Sequence, residues 1–417
     1  MHTQLMLFVF LSLPATVVAE ENWPQFRGPH GTSRADEAKL PLMWGEHKNV
    51  AWKTAIHDKG WSSPVVWGDQ IWLTTAKEDG KELFAVCVDR AGGKVLHDVK
   101  VFDVDEPSEV WRKFNSFASP TPAIEEGRVY VHFGTYGTAC LDTKTGKKLW
   151  QRRDLHCDHW RGPASSPILY GDRLFLTFDG YDTQYVAALD KKTGETIWKK
   201  DRAIDYKTTN GDLKKAFGTP SVLTVDGKPQ LVSPAAMATV AYDPKTGAEL
   251  WKVYHGGMNV TAPPQYGHGR VFLCSGDGGS RLLAVRPDGT GDLTAGHIDW
   301  TVKNKSSVPS RSSPVLVDDL LYMVNEGGIV SCLEAKTGKP IWQERVGGKF
   351  WASPLYAGGR LYLFDEDGQG HVLAAGREGK KLATNKLDDG CRASPAVAGN
   401  ALFVRTLTHL YRIENRE

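Results

Sequence analysis

The chain has 417 residues, of which 41% are hydrophobic and 24% are charged, and its 51 Lys and Arg against 49 Asp and Glu give a formal net charge of +2. This balance argues against a nucleic-acid partner, and we find no basic stripe interleaved with aromatic residues. The composition is that of a soluble globular protein rather than of a disordered or membrane-embedded chain.

The first 19 residues differ from the rest of the chain. The apolar run Leu5–Leu13 is too short to span a bilayer, and the small residues at 17–19 resemble a cleavage site. We predict a signal peptide over residues 1–19, with a buried N-terminal segment as the alternative. The first cysteine is Cys87, which argues against a lipid anchor at the mature N-terminus. We therefore expect an exported monomer, periplasmic or secreted, that does not span a membrane.

Residues 20–48 are rich in proline, glycine and polar residues. Such a stretch is typical of an irregular segment rather than of a strand or a helix. We predict an N-terminal arm that lies over the following domain and is pinned there by Trp23, Phe26 and Trp44.

From residue 49 onward one turn pattern recurs. It reads Asp-x-x-Thr-Gly-x-x-x-Trp at residues 142–150, 190–198 and 243–251, and Glu334 begins a fourth copy. The Asp can cap the turn, the Gly supplies a positive φ, and the Trp buries a large surface between repeats. His97 and Ala383 occupy two of the eight Trp positions. We predict a structural docking role for the other six, which are Trp52, Trp150, Trp198, Trp251, Trp300 and Trp342.

A proline precedes the first short strand of each repeat. There are eight of these anchor prolines: Pro64, Pro122, Pro167, Pro220, Pro264, Pro314, Pro354 and Pro395. Groups of four short strands divided by turns are typical of propeller blades. The chain is therefore predicted to be all-β, an eight-bladed β-propeller of four-stranded blades over residues 49–417. Because Trp52 precedes the first anchor, the N-terminal strand Asn49–Ala55 is predicted to complete the last blade, Ser394–Ile413, and to leave no open edge.

Three connections between blades are longer than the others, namely Asp98–Thr121, Gln151–Ser166 and Lys199–Thr219. Each one joins the outermost strand of a blade to the innermost strand of the next, so all three share one face, and long loops on one face favour a binding surface. At the mouth of the channel on this face we place the residues three positions before each anchor proline: Trp61, Ser119, Ala164, Phe217, Thr261, Arg311, Trp351 and Arg392.

Aromatic planes beside guanidinium groups suit a planar or anionic ligand, or an acidic peptide. The candidate ligand-binding residues on this face are Trp61, Arg161, Phe217, Arg311, Trp351 and Arg392. The alternative is that these side chains only plug the channel. We predict no catalytic residue, because the sequence contains no Ser/His/Asp elbow, phosphate loop or dinucleotide fingerprint.

The loops facing this mouth contribute carboxylates, which suit either Ca²⁺ or the tight turns themselves: Asp179, Asp182, Asp277, Glu326, Asp365, Glu366 and Asp367. Residues 156–159 (His-Cys-Asp-His) look metal-like, but one tetrapeptide is a weak zinc signal, and we leave the metal unassigned. No Cys-x-x-Cys redox pair is present. Cys157 and Cys391 lie in loops between blades and would pair only if the fold brought them together.

The repeat Ala/Cys-x-Asp-x-x-Thr-Gly-x-x-x-Trp resembles the tryptophan-docking motif of pyrroloquinoline quinone (PQQ) propellers, and residues 188–198 (ALDKKTGETIW) match it in full. Residues 22–29 (NWPQFRGP), together with 49–53 and 61–64, look like a bacterial group of exported PQQ-repeat-like proteins. The resemblance implies two branches. The outer-membrane β-barrel assembly factor B uses the propeller as a scaffold without a cofactor, whereas quinoprotein alcohol and sugar dehydrogenases hold the quinone over Ca²⁺ with a catalytic Asp.

We therefore expect a non-catalytic exported propeller without a cofactor, which binds a protein partner or a small anionic or planar ligand on its long-loop face. The alternative is a PQQ- and Ca-dependent alcohol or sugar dehydrogenase. In that case the loop positions would make Asp179 or Asp277 the base. Trp351 or Trp61 would stack on the quinone, and Arg311 or Arg392 would meet its carboxylates.

Overall fold

The structure, a computed structural model, describes residues 21–108 and 114–416, so the predicted signal peptide lies outside the described residues. Within these ranges no helix has the length and hydrophobicity needed to cross a membrane. The regular elements of this part of the chain are short strands and three 3-10 turns, η1 (Pro29–Gly31), η2 (Gly134–Tyr136) and η3 (Gly211–Lys214).

The first half of the strands, in chain order, is β1 (Arg34–Ala35), β2 (Val50–Ala55), β3 (Val65–Trp67), β4 (Gln70–Ala76), β5 (Glu82–Asp89), β6 (Val95–Asp103), β7 (Ala123–Glu125), β8 (Arg128–His132), β9 (Thr138–Asp142), β10 (Lys148–Arg152), β11 (Ile168–Tyr170), β12 (Arg173–Asp179), β13 (Gln184–Asp190), β14 (Thr196–Asp201), β15 (Ser221–Val225), β16 (Lys228–Pro234) and β17 (Ala238–Tyr242).

The second half is β18 (Glu249–Tyr254), β19 (Gln265–Gly267), β20 (Arg270–Cys274), β21 (Arg281–Val285), β22 (Gly291–Asp292), β23 (Ile298–Lys303), β24 (Val315–Val317), β25 (Leu320–Val324), β26 (Ile329–Glu334), β27 (Pro340–Arg345), β28 (Leu355–Ala357), β29 (Arg360–Phe364), β30 (Gln369–Ala374), β31 (Lys381–Lys386), β32 (Ala396–Ala398), β33 (Ala401–Arg405) and β34 (His409–Ile413).

These strands form the eight four-stranded antiparallel blades that the sequence predicted. In ring order the blades are β3–β6, β7–β10, β11–β14, β15–β18, β19–β20–β21–β23, β24–β27, β28–β31 and β32–β33–β34–β2. Two short strands were not predicted. β1 pairs in parallel with β28 of blade 7, and β22 pairs in parallel with β18 of blade 4.

The ring is closed as predicted. β2 is the outermost strand of blade 8 and pairs antiparallel with β34, with Lys53 opposite Tyr411 and Thr54 opposite Leu410. The observed strand begins at Val50, one residue later than expected. Because β2 occupies the outer edge of blade 8, the two ends of the described chain are held in one sheet.

In five places the repeated turn connects a blade to the next one through a docking tryptophan. In blade 3, Asp190 Oδ1 accepts the backbone N–H groups of Lys192 (2.8 Å) and Thr193 (2.9 Å), and Gly194 has φ +77°. A Cβ on Gly194 would lie 2.7 Å from the ring of Trp150, the docking tryptophan of blade 2, so only glycine leaves room for that ring. The indole N–H of Trp150 donates to the carbonyl of Lys191 at 3.0 Å.

Five of the six tryptophans contact the next blade in this way. The indole-to-carbonyl pairs are Trp52 with Arg90, Trp150 with Lys191, Trp198 with Pro244, Trp300 with Ala335, and Trp342 with Gly376. Trp251 differs, because its Nε1 donates to Gln230 Oε1 of its own blade and the added strand β22 lies alongside it. Ala383 has no such turn to meet, because the outer strand of blade 8 comes from the other end of the chain.

The hydrophobic core lies between the blades as a series of separate clusters, each shared by neighbouring sheets. The cysteines belong to it. All six are free, buried thiols, so Cys157 and Cys391 are not paired. Burial raises the pKa of the Cys140 and Cys332 thiols to about 12, and such thiols are structural rather than reactive.

The N-terminal arm runs across the channel on the side away from the long loops. Its backbone pairs with the innermost strands of blades 1 and 2, through Trp23 with Val66 and through Pro24 with Ile124. Further along, the arm reaches blade 7 through β1. Trp23 is fully buried, and Trp44 packs against aromatic rings of blade 7.

Candidate functional site

All eight residues predicted for the channel mouth line a single cavity of about 280 Å³, which we call the well. They are Trp61, Ser119, Ala164, Phe217, Thr261, Arg311, Trp351 and Arg392. Each of them lies three positions before an anchor proline. Because the innermost strand of every blade begins at the same depth in the channel, these equivalent positions form one layer. Arg161, from the long loop between blades 2 and 3, joins the same lining. Their role in binding a ligand remains a prediction.

One side of the well is a stack of arginines and tryptophans. The guanidinium carbon of Arg392 lies 4.3 Å from the ring centre of Trp61 and 5.0 Å from that of Trp351. Arg311 approaches the Trp351 ring at 5.4 Å, and the two tryptophan rings are 6.2 Å apart. A guanidinium is attracted to the face of an indole ring, and this attraction holds the arginine and tryptophan planes in fixed positions.

Each of these two arginines forms an ion pair with a carboxylate. Arg311 Nη1 lies 3.1 Å from Asp277 Oδ2, and Arg392 Nη2 lies 3.5 Å from Glu366 Oε2. The indole N–H of Trp351 donates to the same Glu366 oxygen at 2.9 Å. Burial lowers the pKa of Arg392 from its ordinary value, but a guanidinium stays charged at neutral pH.

The opposite side of the well is built by the two longest described loops. Arg161 packs over the ring of Trp160 at 5.3 Å and pairs with Asp212 at 3.3 Å. Phe217 is fixed by a backbone hydrogen bond from its N–H to the carbonyl of Val260. Arg161 and Phe217 are therefore each held in place by contacts of their own loops, and both line the well.

The other predicted carboxylates do not line the well, with Asp277 as the exception. Asp179 accepts two hydrogen bonds of 2.7 Å from Arg202, and both side chains are buried. Glu326 accepts backbone N–H groups, and Asp365 lies 3.7 Å from His371 in the interior. Of the remaining three, Glu366 pairs with Arg392 and Trp351 as described above, and Asp182 and Asp367 lie in loop turns.

The metal-like tetrapeptide does not assemble a site. Cys157 Sγ lies 3.5 Å from the His159 ring, whose Nε2 is occupied by the backbone N–H of Thr135. In the part of the chain that the structure describes, no group of three or more His, Cys, Asp or Glu side chains is placed to hold a metal ion.

Sequence reasoning missed the base of the well. Seven of the eight residues directly before the anchor prolines are hydroxyl residues that line it, and we call them the hydroxyl ring: Ser63, Thr121, Ser166, Thr219, Ser313, Ser353 and Ser394. A signal was present, because Ser-Pro or Thr-Pro recurs in seven blades and Pro263-Pro264 replaces it in blade 5. Phe26 of the N-terminal arm also lines the well, and this contact had no sequence signal beyond an aromatic residue in the arm.

A family model described as outer membrane protein assembly factor BamB matches residues 48–182, 182–330 and 291–382, which is most of the chain. Among characterised relatives, the tetrathionate hydrolase of Acidithiobacillus ferrooxidans is 26% identical over 270 residues, covering 59% of this chain and 50% of that protein. The chain thus spans about half the length of this relative. The assembly factor BamB of Burkholderia pseudomallei is 25% identical over 365 residues, covering 82% of this chain and 87% of that protein.

Among solved structures, the quinohemoprotein alcohol dehydrogenase from Comamonas testosteroni superposes with a TM-score of 0.70 at 11% identity, covering 95% of this chain and 81% of that chain. At this identity the likeness shows a common fold and nothing finer. BamB from Moraxella catarrhalis shares the fold as well, with a TM-score of 0.61 at 15% identity, covering 87% of this chain and 99% of that chain.

Proposed function

The chain belongs to the family described as outer membrane protein assembly factor BamB, and from this premise we propose that it is a non-catalytic exported scaffold, which binds a protein partner or a small ligand on its long-loop face. One observation carries the proposal: the eight mouth residues, one from each blade, meet in a single well. Export is supported by the leader-like residues 1–19 and by the outer-membrane factor for which the family is named.

The chemistry of the mouth favours a flat, negatively charged group. The tryptophan faces offer area for stacking, while Arg161, Arg311 and Arg392 supply donors in rigid planar forks that suit carboxylates. A planar polycarboxylate fits both features, and so does an acidic side chain at the tip of a protein loop. The relatives named as assembly factors favour the protein partner.

The second candidate is a PQQ-dependent dehydrogenase, favoured by Asp277. This carboxylate lines the well, 3.1 Å from the Arg311 guanidinium and 3.1 Å from the amide nitrogen of Asn259. The flat rings and arginines of the mouth would fit the planar, carboxylated quinone. The relevant fold is also that of a quinohemoprotein alcohol dehydrogenase.

The calcium ion that the quinone needs does not fit these residues. Ca²⁺ takes six to eight oxygen ligands, usually with several carboxylates. Asp277 is the acidic residue that lines the well, and Arg311 already neutralises it. No cluster of three acidic or metal-binding side chains exists among the described residues. We therefore derive no catalytic step through a calcium ion.

A titration tests the proposal. Benzene-1,3,5-tricarboxylate is a flat trianion, and its binding should quench the fluorescence of Trp61 and Trp351 in a saturable manner. A parallel titration with PQQ and Ca²⁺, followed by absorbance, tests the second candidate. Tight stoichiometric binding of PQQ that depends on Ca²⁺ would favour the dehydrogenase. Failure of the tricarboxylate to bind would remove the small-ligand part of the proposal and leave the protein partner.

A further inference from the structure

The hydroxyl ring is a hydrogen-bonded circuit around the channel. In six places the backbone N–H of a ring residue donates to the hydroxyl of the next blade at 2.9–3.1 Å. The pairs are Ser63 to Thr121, Thr121 to Ser166, Ser166 to Thr219, Ser313 to Ser353, Ser353 to Ser394, and Ser394 to Ser63. Each of these hydroxyl oxygens is therefore used as an acceptor from one fixed side.

The hydroxyl protons of the ring have no acceptor within the described residues. Every ring side chain is at least nine-tenths buried, and each one lines the well. A buried hydroxyl that already accepts an N–H keeps one O–H to donate. A backbone N–H of the preceding blade occupies one side of each accepting hydroxyl oxygen. The hydroxyl proton can therefore point into the interior of the well. The base of the well thus presents several hydroxyl donors that converge on its interior.

The ring is interrupted in one place, and the interruption isolates one hydroxyl. Blade 5 has Pro263 at the ring position, and proline has no N–H to donate. Ser313, in the next blade, consequently receives no hydrogen bond on its hydroxyl, although its own N–H donates to Ser353. The Ser313 hydroxyl has no protein partner in the described structure while it lines the well, so it is the ring member that is free to turn towards a ligand.

Two buried cations stand beside the ring. Arg27 of the arm donates to the carbonyl of Pro314, the residue after Ser313, and Arg405 donates to the carbonyl and hydroxyl of Ser62. Burial lowers the pKa of each to about 9. Neither guanidinium has a carboxylate within ion-pair distance in the described ranges, in contrast to Arg311 and Arg392. Neither arginine lines the well itself, so their charges act on it from behind the ring residues.

We propose that the hydroxyl ring is the binding site for an oxyanion group of tetrahedral or carboxylate type, which enters through the mouth and accepts the ring's O–H donors. This deepens the proposed function and rests on it, because it assigns the depth at which the negative group of the ligand is held. The group arrives either as a free inorganic ion or as the deepest part of a larger ligand, with the same donors in both cases. Hydrogen bonds to a charged acceptor are the strong ones, and convergence of several makes a site.

The test uses the full purified chain in chloride buffer, with sodium sulfate and sodium phosphate as probes and sodium chloride at matched ionic strength as the reference. We expect saturable sulfate binding by calorimetry, because general salt stabilisation is not saturable at low concentration. Ser313→Ala should weaken sulfate at least about ten-fold, the loss of one hydrogen bond to a charged group. It should leave the unfolding temperature unchanged, since the Ser313 hydroxyl makes no internal bond.

Ser312→Ala is the matched control, because the Ser312 hydroxyl donates to the carbonyl of Val324 and does not line the well. It should leave the sulfate affinity unchanged. Trp351→Ala separates the two levels of the site. It should weaken benzene-1,3,5-tricarboxylate and spare sulfate, which is held below the mouth.

The outcomes distinguish this inference from the proposed function. If the tricarboxylate binds and Trp351→Ala weakens it, while sulfate and phosphate do not bind and Ser313→Ala has no effect on any probe, the oxyanion site is wrong and the mouth site stands. If sulfate binds and depends on Ser313 while the tricarboxylate does not bind, the ring site stands and a free ion is its ligand. Loss of both probes overturns the inference together with the small-ligand part of the proposed function.

Discussion

Arg392 packs against two tryptophans, with its guanidinium carbon 4.3 Å from the Trp61 ring centre and 5.0 Å from that of Trp351. The three residues come from blades 8, 1 and 7, so the stack crosses the point where the ring is closed. Glu366 anchors the stack from the protein side through both Arg392 and Trp351. A ligand at the mouth therefore meets a charged surface whose position is set by three blades.

Removing the charge at this stack should reduce ligand binding without unfolding the protein. For Arg392→Gln we expect the affinity for benzene-1,3,5-tricarboxylate to fall at least about ten-fold, because one charge-assisted contact is lost. The unfolding temperature should move little, since Lys349 still pairs with Glu366 at 3.1 Å. Fluorescence titration and thermal unfolding measure the two effects. A large loss of stability with unchanged binding would show that Arg392 is only a channel plug.

The docking tryptophans should act through packing. Trp198 is 7% exposed and packs between blades 3 and 4, so Trp198→Ala should lower the free energy of unfolding by roughly 3–5 kcal/mol. Trp160→Ala is the comparison variant, because this tryptophan is 38% exposed and its removal should cost less than that of Trp198. Urea unfolding measures both. A Trp198→Ala protein as stable as the parent would contradict the docking role.

The sequence was sufficient to predict the ring, because every blade repeats the same two anchors. The Asp-x-x-Thr-Gly turn and the docking Trp can both be recognised in the amino-acid sequence. In the structure they meet, as where the ring of Trp150 packs on Gly194. The closing strand was predictable too, since Trp52 precedes its first anchor proline. The parallel additions β1 and β22 were not, because each is two residues long and depends on tertiary contacts alone.

The same register predicted which side chains meet in the well, but not what each one does there. Arg311 and Arg202 look alike in sequence, yet one faces the well beside Asp277 and the other is sealed against Asp179. The hydroxyl ring was missed for a different reason. Ser-Pro and Thr-Pro are common ways to begin a strand, and only the circular arrangement makes seven of them converge.

The sealed ion pair should be costly to break. Asp179→Asn leaves the Arg202 guanidinium buried with no opposite charge, and we expect a loss of about 3–5 kcal/mol in the free energy of unfolding. The double variant Asp179→Leu with Arg202→Met removes both charges and should be more stable than the single variant. Urea unfolding of the three proteins checks this. Equal stability of the single variant and the parent would mean that the pair is solvated.

Buried histidines should make the fold sensitive to mild acid. Burial lowers the pKa of His132 to about 3 and that of His255 to about 4, whereas an unfolded histidine titrates near 6.5. Their contribution is fully present above about pH 6.5. It is lost as the pH falls, because only the unfolded state takes up the protons.

Between pH 7 and pH 5 the two sites together should remove about 4 kcal/mol of unfolding free energy. Burial also lowers the pKa of His159 to about 4, so this histidine adds a similar share. His255→Asn keeps a donor for the carbonyl of Gly256 and should reduce the combined pH dependence by about a third. The same change at the exposed His47 is the control. Urea unfolding at several pH values gives the slope, and an unchanged slope in His255→Asn would rule out this source.

The pairing of β2 with β34 determines when the ring can close during synthesis of the chain. A ribosome makes Lys53 near the start of the chain and Tyr411 near its end, yet the two residues face each other in one sheet. Seven blades are available for assembly while β2, the outer strand of blade 8, still waits for the three strands β32–β34. A product cut short by early termination would keep both of these edges unsatisfied and open to aggregation. Closure of the ring therefore requires that synthesis has passed β34.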